Sequence, residues 1–87
     1  MNSIVTADFM VCFAALPSEV QAQARRGYQL WRVNPRHPSL RFKPIRGHQG
    51  LYSVRAGLGW RAVGTMEGDT VTWFWIGSHA EYDKLIS

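Results

Sequence analysis

Three polar side chains in the last third of the chain could together perform chemistry on a phosphate: Arg61, His79 and Tyr82. Metal-free cleavage of RNA needs a base for the ribose 2′-hydroxyl, a fixed cation for the phosphate oxygens and an acid for the leaving 5′ oxygen. A guanidinium is permanently charged and its fork matches a phosphate, so Arg61 is the candidate cation. An imidazole can gain or lose a proton near neutral pH, so His79 is the candidate for moving a proton, as a base. Tyr82 could donate its phenol or stack on a nucleobase.

Each of these residues also has a purely structural interpretation. A single histidine beside a helix cap is usually a surface residue, Tyr82 could anchor its helix on a sheet, and Arg61 could cover aromatic surface with its aliphatic stem. His37 and His48 lie in loops without ligands at metal spacing, and the chain has one cysteine. We therefore expect no metal, no cofactor and no disulfide.

Two strands and a capped helix must position the three side chains. Residues 60–66 and 71–76 predict strands around a tight turn, and Arg61 shares a strand face with Val63 and Thr65. Residues 78–81 have the form of a capping box, which places His79 at the first helical position and Tyr82 on the same side of the helix. We expect these groups to meet in a concave pocket at the last strand-to-helix junction.

The remaining elements follow from periodicity and from proline positions. Residues 3–5 predict a short strand, and Thr6 can cap a helix that ends at Pro17. A second helix then runs to about Arg32, and the two form a hairpin that could cover one face of a sheet. Residues 40–45 predict an imperfect strand, in which Pro44 favours an edge position, and residues 51–55 predict the next strand. The length suits a single domain over residues 1–87.

Basic charge is concentrated in the middle of the chain. The formal net charge is +4, and nine of the ten Lys and Arg residues lie between Arg25 and Arg61, a window without Asp or Glu. Such a window favours a nucleic acid or an acidic protein as partner, although a solvated basic face is the alternative. Successive antiparallel strands of a meander would bring Lys43, Arg55 and Arg61 together. The candidates for binding phosphate are Arg41, Lys43, Arg46 and Arg55.

Hydropathy argues against a membrane location. The longest apolar run, residues 9–16, is far shorter than the roughly 20 residues that a membrane span requires. No Lys or Arg precedes this run, as a signal peptide would need. We expect a cytoplasmic protein.

Three motifs resemble the RelE/ParE superfamily of bacterial toxins from type II toxin–antitoxin systems. They are KPIRG at residues 43–47, LGWRAVG at residues 58–64 and WFWIGSHAEY at residues 73–82. The resemblance covers essentially the whole chain. It implies an α+β fold in which an N-terminal helical hairpin packs on a twisted antiparallel sheet of about four strands, with a short C-terminal helix.

The resemblance also implies roles for individual residues. Arg61 matches the family arginine that stabilises the transition state, and Tyr82 matches the tyrosine of the last helix. Lys43 and Arg46 match the basic residues before the sheet, and His79 falls where members place an arginine or a histidine. In the RelE/HigB-like branch these residues serve ribosome-dependent mRNA cleavage, which inhibits translation.

Two alternatives to an mRNA endoribonuclease stay open. The ParE-like branch shares the fold but poisons DNA gyrase and generally lacks the nuclease residues, so Arg61, His79 and Tyr82 favour the nuclease branch. An RNA-binding module without chemistry would bind in a salt-sensitive way and leave RNA intact. The resemblance implies a cognate antitoxin, whose acidic segment could lie on the basic window, and it allows a toxin–antitoxin hetero-oligomer. Ribosome and mRNA, or alternatively gyrase, are the expected targets.

Overall fold

A mixed five-stranded sheet forms the centre of the molecule, which a computed structural model describes from Met1 to Ser87. The strands are β1 (Asn2–Val5), β2 (Lys43–Pro44), β3 (Leu51–Arg55), β4 (Trp60–Glu67) and β5 (Thr70–Ser78), and the helices are α1 (Ala7–Ala14), α2 (Ser18–Val33) and α3 (His79–Ile86). A short 3-10 helix, Pro38–Leu40, precedes β2. The strand order is β1-β5-β4-β3-β2. The expected α+β architecture is confirmed.

The helical hairpin covers one face of the sheet. The Thr6 hydroxyl accepts a hydrogen bond from the Phe9 backbone N at 3.1 Å and so begins α1, and Pro17 precedes α2. Trp31 of α2 is 2% exposed and meets the ring of Trp73 edge to face, with 5.5 Å between the ring centroids. The aliphatic residues of the main core surround these indoles, and they are Leu40, Val54, Ala56, Ala62, Val71 and Ile76.

A second, smaller core lies on the other face, because side chains alternate across a strand. Val63 is fully buried there with Ile45 and Tyr82, and Trp75 packs against them. The C-terminal end of α3 is tied down by the Ile86 carbonyl, which lies 2.8 Å from His48 Nε2. This second core holds α3 against the sheet.

Two strands differ from the sequence prediction. The strand expected over residues 40–45 is only two residues long, since Arg41 adopts the left-handed conformation with φ of 48° and Pro44 has no N–H to donate. β1 adds one strand to the expected four, and it is parallel to β5, with Asn2 opposite Thr70. The other neighbouring strands pair antiparallel, as expected.

The helices are short or amphipathic. None of them is long and apolar enough to cross a bilayer.

Candidate functional site

Arg61 lies at the start of β4, between two neighbouring strands. Its Cα partners are Arg55 on β3 and Gly77 on β5. The side chain is half-buried, and Nη1 donates a hydrogen bond to the Trp60 carbonyl at 2.9 Å. Burial, followed by repulsion from Arg55 and Arg41, lowers the pKa of Arg61 below its ordinary value, while Tyr82 and Asp83 oppose that change. An anion bound at this position would therefore stabilise the charged guanidinium of Arg61.

The cations around Arg61 form no salt bridges. The protein contains two ion pairs, one between the N-terminal ammonium and Asp69 and one between His79 and Asp83. Neither pair involves a lysine or an arginine, so none of the ten Lys and Arg side chains forms a salt bridge with a carboxylate. A cationic surface with no carboxylates paired to it attracts a polyanion.

The first turn of α3 places His79 and Tyr82 beside this charge. The ring centroids of the two side chains are 6.0 Å apart. Tyr82 is 9% exposed because its ring packs in the second core, so it also has the structural role that the sequence allowed. His79 is exposed, and its backbone N donates to the Gly59 carbonyl at 2.8 Å. That bond ties the beginning of α3 to the turn that precedes Arg61.

The other cations predicted to bind phosphate divide into two groups. Arg41 and Arg55 are close enough to Arg61 to change its pKa. Lys43 pairs with Ser53, two rows along the sheet from the pair formed by Arg55 and Arg61. Arg46 lies exposed in the turn after β2, beyond the Leu51 end of β3 and so at the opposite end of that strand from Arg55. The structure therefore brings Arg41 and Arg55 to Arg61, whereas Lys43 and Arg46 lie progressively further away.

A family model for the ParE-like toxin domain matches residues 18–84, which include every one of these side chains. The chain belongs to the ParE-like toxin family. It is the toxin of a toxin–antitoxin system, and the resemblance to the RelE/ParE superfamily is confirmed. No protein of curated function matches the sequence significantly.

Solved structures share the fold of this ParE-like toxin at low sequence identity. RelE in the RelB–RelE antitoxin–toxin complex from Methanococcus jannaschii has a TM-score of 0.75 and 14% identity, with 97% of this chain and 99% of that chain covered. YafQ from E. coli strain BL21(DE3) has a TM-score of 0.72 and 10% identity, with 93% and 96% covered. The isolated E. coli RelE toxin has a TM-score of 0.65 and 18% identity, with 99% and 98% covered.

The capping box expected at the start of the toxin's last helix is present. Ser78 Oγ accepts from the Glu81 backbone N at 3.1 Å, and Glu81 Oε1 accepts from the Ser78 backbone N at 3.1 Å. Because both bonds close the first turn, the Cα atoms of His79 and Tyr82 have fixed positions relative to β5. These hydrogen bonds from Ser78 also lower the pKa of Glu81.

The lowered pKa of Glu81 predicts a loss of stability in acid. A carboxyl group whose pKa is depressed by folding contributes stability at pH values above its unfolded pKa, about 4.3, and that contribution disappears as the pH falls through the lower folded value. We expect Glu81→Gln to flatten the fall of the urea unfolding midpoint below about pH 4.3. Glu67→Gln, at an exposed carboxylate that accepts no such bonds, is the matched control. An equally steep fall in Glu81→Gln and wild type would contradict this assignment.

Gly77 lies opposite Arg61 and lets the Trp75 ring and the Glu81 side chain approach the backbone of β5 closely. A Cβ at this position would lie 2.6 Å from the Trp75 ring and 3.1 Å from Glu81 Oε1. Only glycine leaves room for the Trp75 indole to lie over this strand while Glu81 closes the capping box. The ring of Trp75 in turn packs in the cluster that contains Tyr82.

One charged residue in this region was missed by sequence reasoning. Asp83 Oδ2 lies 3.3 Å from His79 Nδ1, and Asp83 also acts on the charge of Arg61. The signal was present, because residues four apart face each other on a helix and His79 to Asp83 has that spacing. No group of three or more His, Cys, Asp or Glu side chains is arranged to hold a metal ion.

We expected a concave pocket beside Arg61, but the apolar cavity under the helical hairpin lies elsewhere. This cavity of about 250 Å³ opens between the hairpin and the sheet, with mostly apolar walls that include Phe13, Tyr28, Trp31 and Trp73. Neither Arg61 nor any residue of α3 lines it. The candidate site is built instead around the partly buried guanidinium of Arg61 where β5 meets α3.

Proposed function

We propose that this ParE-like toxin is a metal-independent endoribonuclease that cleaves mRNA on the ribosome and so inhibits translation. The observation that carries the proposal is the half-buried guanidinium of Arg61, which has two cationic neighbours, no carboxylate partner, and a histidine and a tyrosine within the same junction. A cation that is partly desolvated and forms no salt bridge costs free energy in the free protein. A phosphate with its charge increasing in the transition state compensates that cost.

The three roles of RNA cleavage can be distributed over the residues of this junction. Arg61 holds the non-bridging phosphate oxygens, because only one of its five N–H donors is engaged by the Trp60 carbonyl. His79 is exposed at the helix start and moves a proton. Tyr82 positions the substrate, since its ring is held in the second core beside His79.

The neighbouring cations extend the site along the RNA backbone. Arg41 and Arg55 lie beside Arg61, Lys43 lies two rows away, and Arg46 lies beyond the far end of β3. A single strand has one phosphate per nucleotide, so cations spread over the surface in this way suit phosphates on either side of the cleaved one. Binding by these residues is sequence-independent, and selection of the cleavage site is left to the ribosome.

While cell growth is not inhibited, the proposed partner of the toxin is an antitoxin. RelE from Methanococcus jannaschii and RelE from Pyrococcus horikoshii were solved with RelB, and E. coli YafQ was solved with DinJ. We infer that this toxin also pairs with a cognate antitoxin in a hetero-oligomer. An acidic segment of the antitoxin would neutralise the unpaired cations at the sheet edge, and its affinity would fall with added salt.

Controlled expression tests the function directly. After induction of the toxin in a bacterial strain, 5′ ends of transcripts are mapped on isolated ribosomes, while plasmid supercoiling is followed in the same culture. We expect new ends within translated mRNA and unchanged supercoiling. Loss of supercoiling with intact transcripts would show that the toxin inhibits gyrase instead. Binding of RNA by the toxin without any cleavage would show that it is an RNA-binding module without chemistry.

A further inference from the structure

The acidic residue inside this basic site has a specific orientation. Asp83 lies near Arg61, yet its carboxylate pairs with His79, with 3.3 Å between Oδ2 and Nδ1. It is the only such contact between two side chains in the protein, since the other ion pair uses the N-terminal ammonium. A carboxylate beside a phosphate site repels the substrate, so its presence at this position calls for a compensating role.

The contact favours one of the two neutral forms of the imidazole. A carboxylate repels a nitrogen lone pair and attracts an N–H, so its position 3.3 Å from Nδ1 favours the form of His79 with hydrogen on Nδ1. In that form Nε2 is the lone-pair acceptor. The backbone from which the two side chains project is fixed by the capping box and by the bond from His79 N to the Gly59 carbonyl at 2.8 Å.

We propose that Asp83 is a positioning residue that holds His79 with Nδ1 protonated and presents Nε2 as the base of the cleavage reaction. This inference rests on the proposed function. Nε2 takes the proton of the ribose 2′-hydroxyl, the 2′ oxygen forms a bond to phosphorus, and the bond from phosphorus to the 5′ oxygen breaks. The 5′ oxygen leaves with a proton from water, which gives a 2′,3′-cyclic phosphate and a 5′-hydroxyl. Asp83 faces the imidazolium while it exists and stabilises it.

The test combines ring NMR with kinetics. Long-range 15N–1H spectra of the histidine rings are recorded at a pH where the rings are neutral, for the wild type, Asp83→Ala, Asp83→Asn and Glu67→Gln. We expect the Nδ1–H form of His79 to predominate in the wild type, to be partly retained in Asp83→Asn because the amide oxygen still presents partial negative charge to Nδ1, and to lose its preference in Asp83→Ala. Glu67→Gln removes one negative charge at an exposed position away from this contact and serves as the control.

Cleavage on mRNA-programmed ribosomes supplies the second measurement. Because the pair is exposed, we expect kcat in Asp83→Ala to fall about two- to fivefold with KM unchanged or lower, and Asp83→Asn to recover part of the loss. An unchanged tautomer in Asp83→Ala, or a loss of kcat no larger than that of Glu67→Gln, would overturn the proposal. A wild type that shows the Nδ1–H form but cleaves no RNA would instead overturn the proposed function and, with it, the base role of His79.

Discussion

Replacing Arg61 with alanine is expected to lower the rate of mRNA cleavage by about 10²- to 10³-fold, the usual loss when a preorganised donor to a developing oxyanion is removed. The fold should survive, since Arg61 makes one hydrogen bond to a backbone carbonyl and no salt bridge. Removing the charge also relieves repulsion with Arg55. The measurement is single-turnover cleavage on programmed ribosomes, accompanied by the thermal unfolding midpoint of each variant.

Two further variants make the result for Arg61 specific. Arg61→Lys keeps the charge but loses the planar fork, so it should recover only part of the rate. Arg36→Ala removes a charge from an exposed connector and should cleave at nearly the wild-type rate. Growth inhibition and cleavage at wild-type level in Arg61→Ala, in a folded protein, would rule out Arg61 as the phosphate cation.

The largest effect on stability is expected from Trp31→Ala. Trp31 is 2% exposed and its ring contacts those of Tyr28, Phe42 and Trp73, so truncation leaves a large cavity in the main core. Such changes cost about 3–5 kcal/mol. A chain of this length has a total unfolding free energy of about 4–13 kcal/mol at the usual value per residue. We expect a large shift of the urea midpoint, followed by circular dichroism, and in the less stable part of that range a largely unfolded protein.

Trp31→Phe separates the packing of the ring from its polar atom. The Trp31 Nε1 atom is buried and has no hydrogen-bond partner, so phenylalanine keeps an aromatic ring in the core and removes no hydrogen bond. We expect this variant to lose only about 1–2 kcal/mol. If Trp31→Phe were as destabilised as Trp31→Ala, the ring contacts would not be the source of the stability.

Elements with local signals could be predicted from the sequence, and pairings between distant segments could not. The capping box at Ser78 and Glu81 and the cap at Thr6 were predicted correctly, because each depends on residues within one helical turn. Strand β3 was predicted with its observed bounds, since glycine turns flank it. The parallel pairing of β1 with β5 was missed, as nothing in four residues near the N-terminus specifies a partner strand so far along the chain.

The candidate site shows the same division. The contact of Arg55 with Arg61 followed from a tight turn between antiparallel strands, and it is confirmed by their pairing. The approach of Arg41 depends on its left-handed backbone after the 3-10 helix, which the alternating pattern of residues 40–45 concealed. The apolar cavity under the helical hairpin lies between elements that are distant in sequence, so no local pattern indicated it.

The parallel pairing of β1 with β5 affects how the protein matures. Asn2 and Thr70 are opposite each other although they are far apart in the sequence, so β1 finds its neighbour only after the segment between them has been synthesised. Contacts of such high sequence separation slow folding. The junction of Arg61, His79 and Tyr82 forms equally late, because it needs β5 and α3, which both follow that segment.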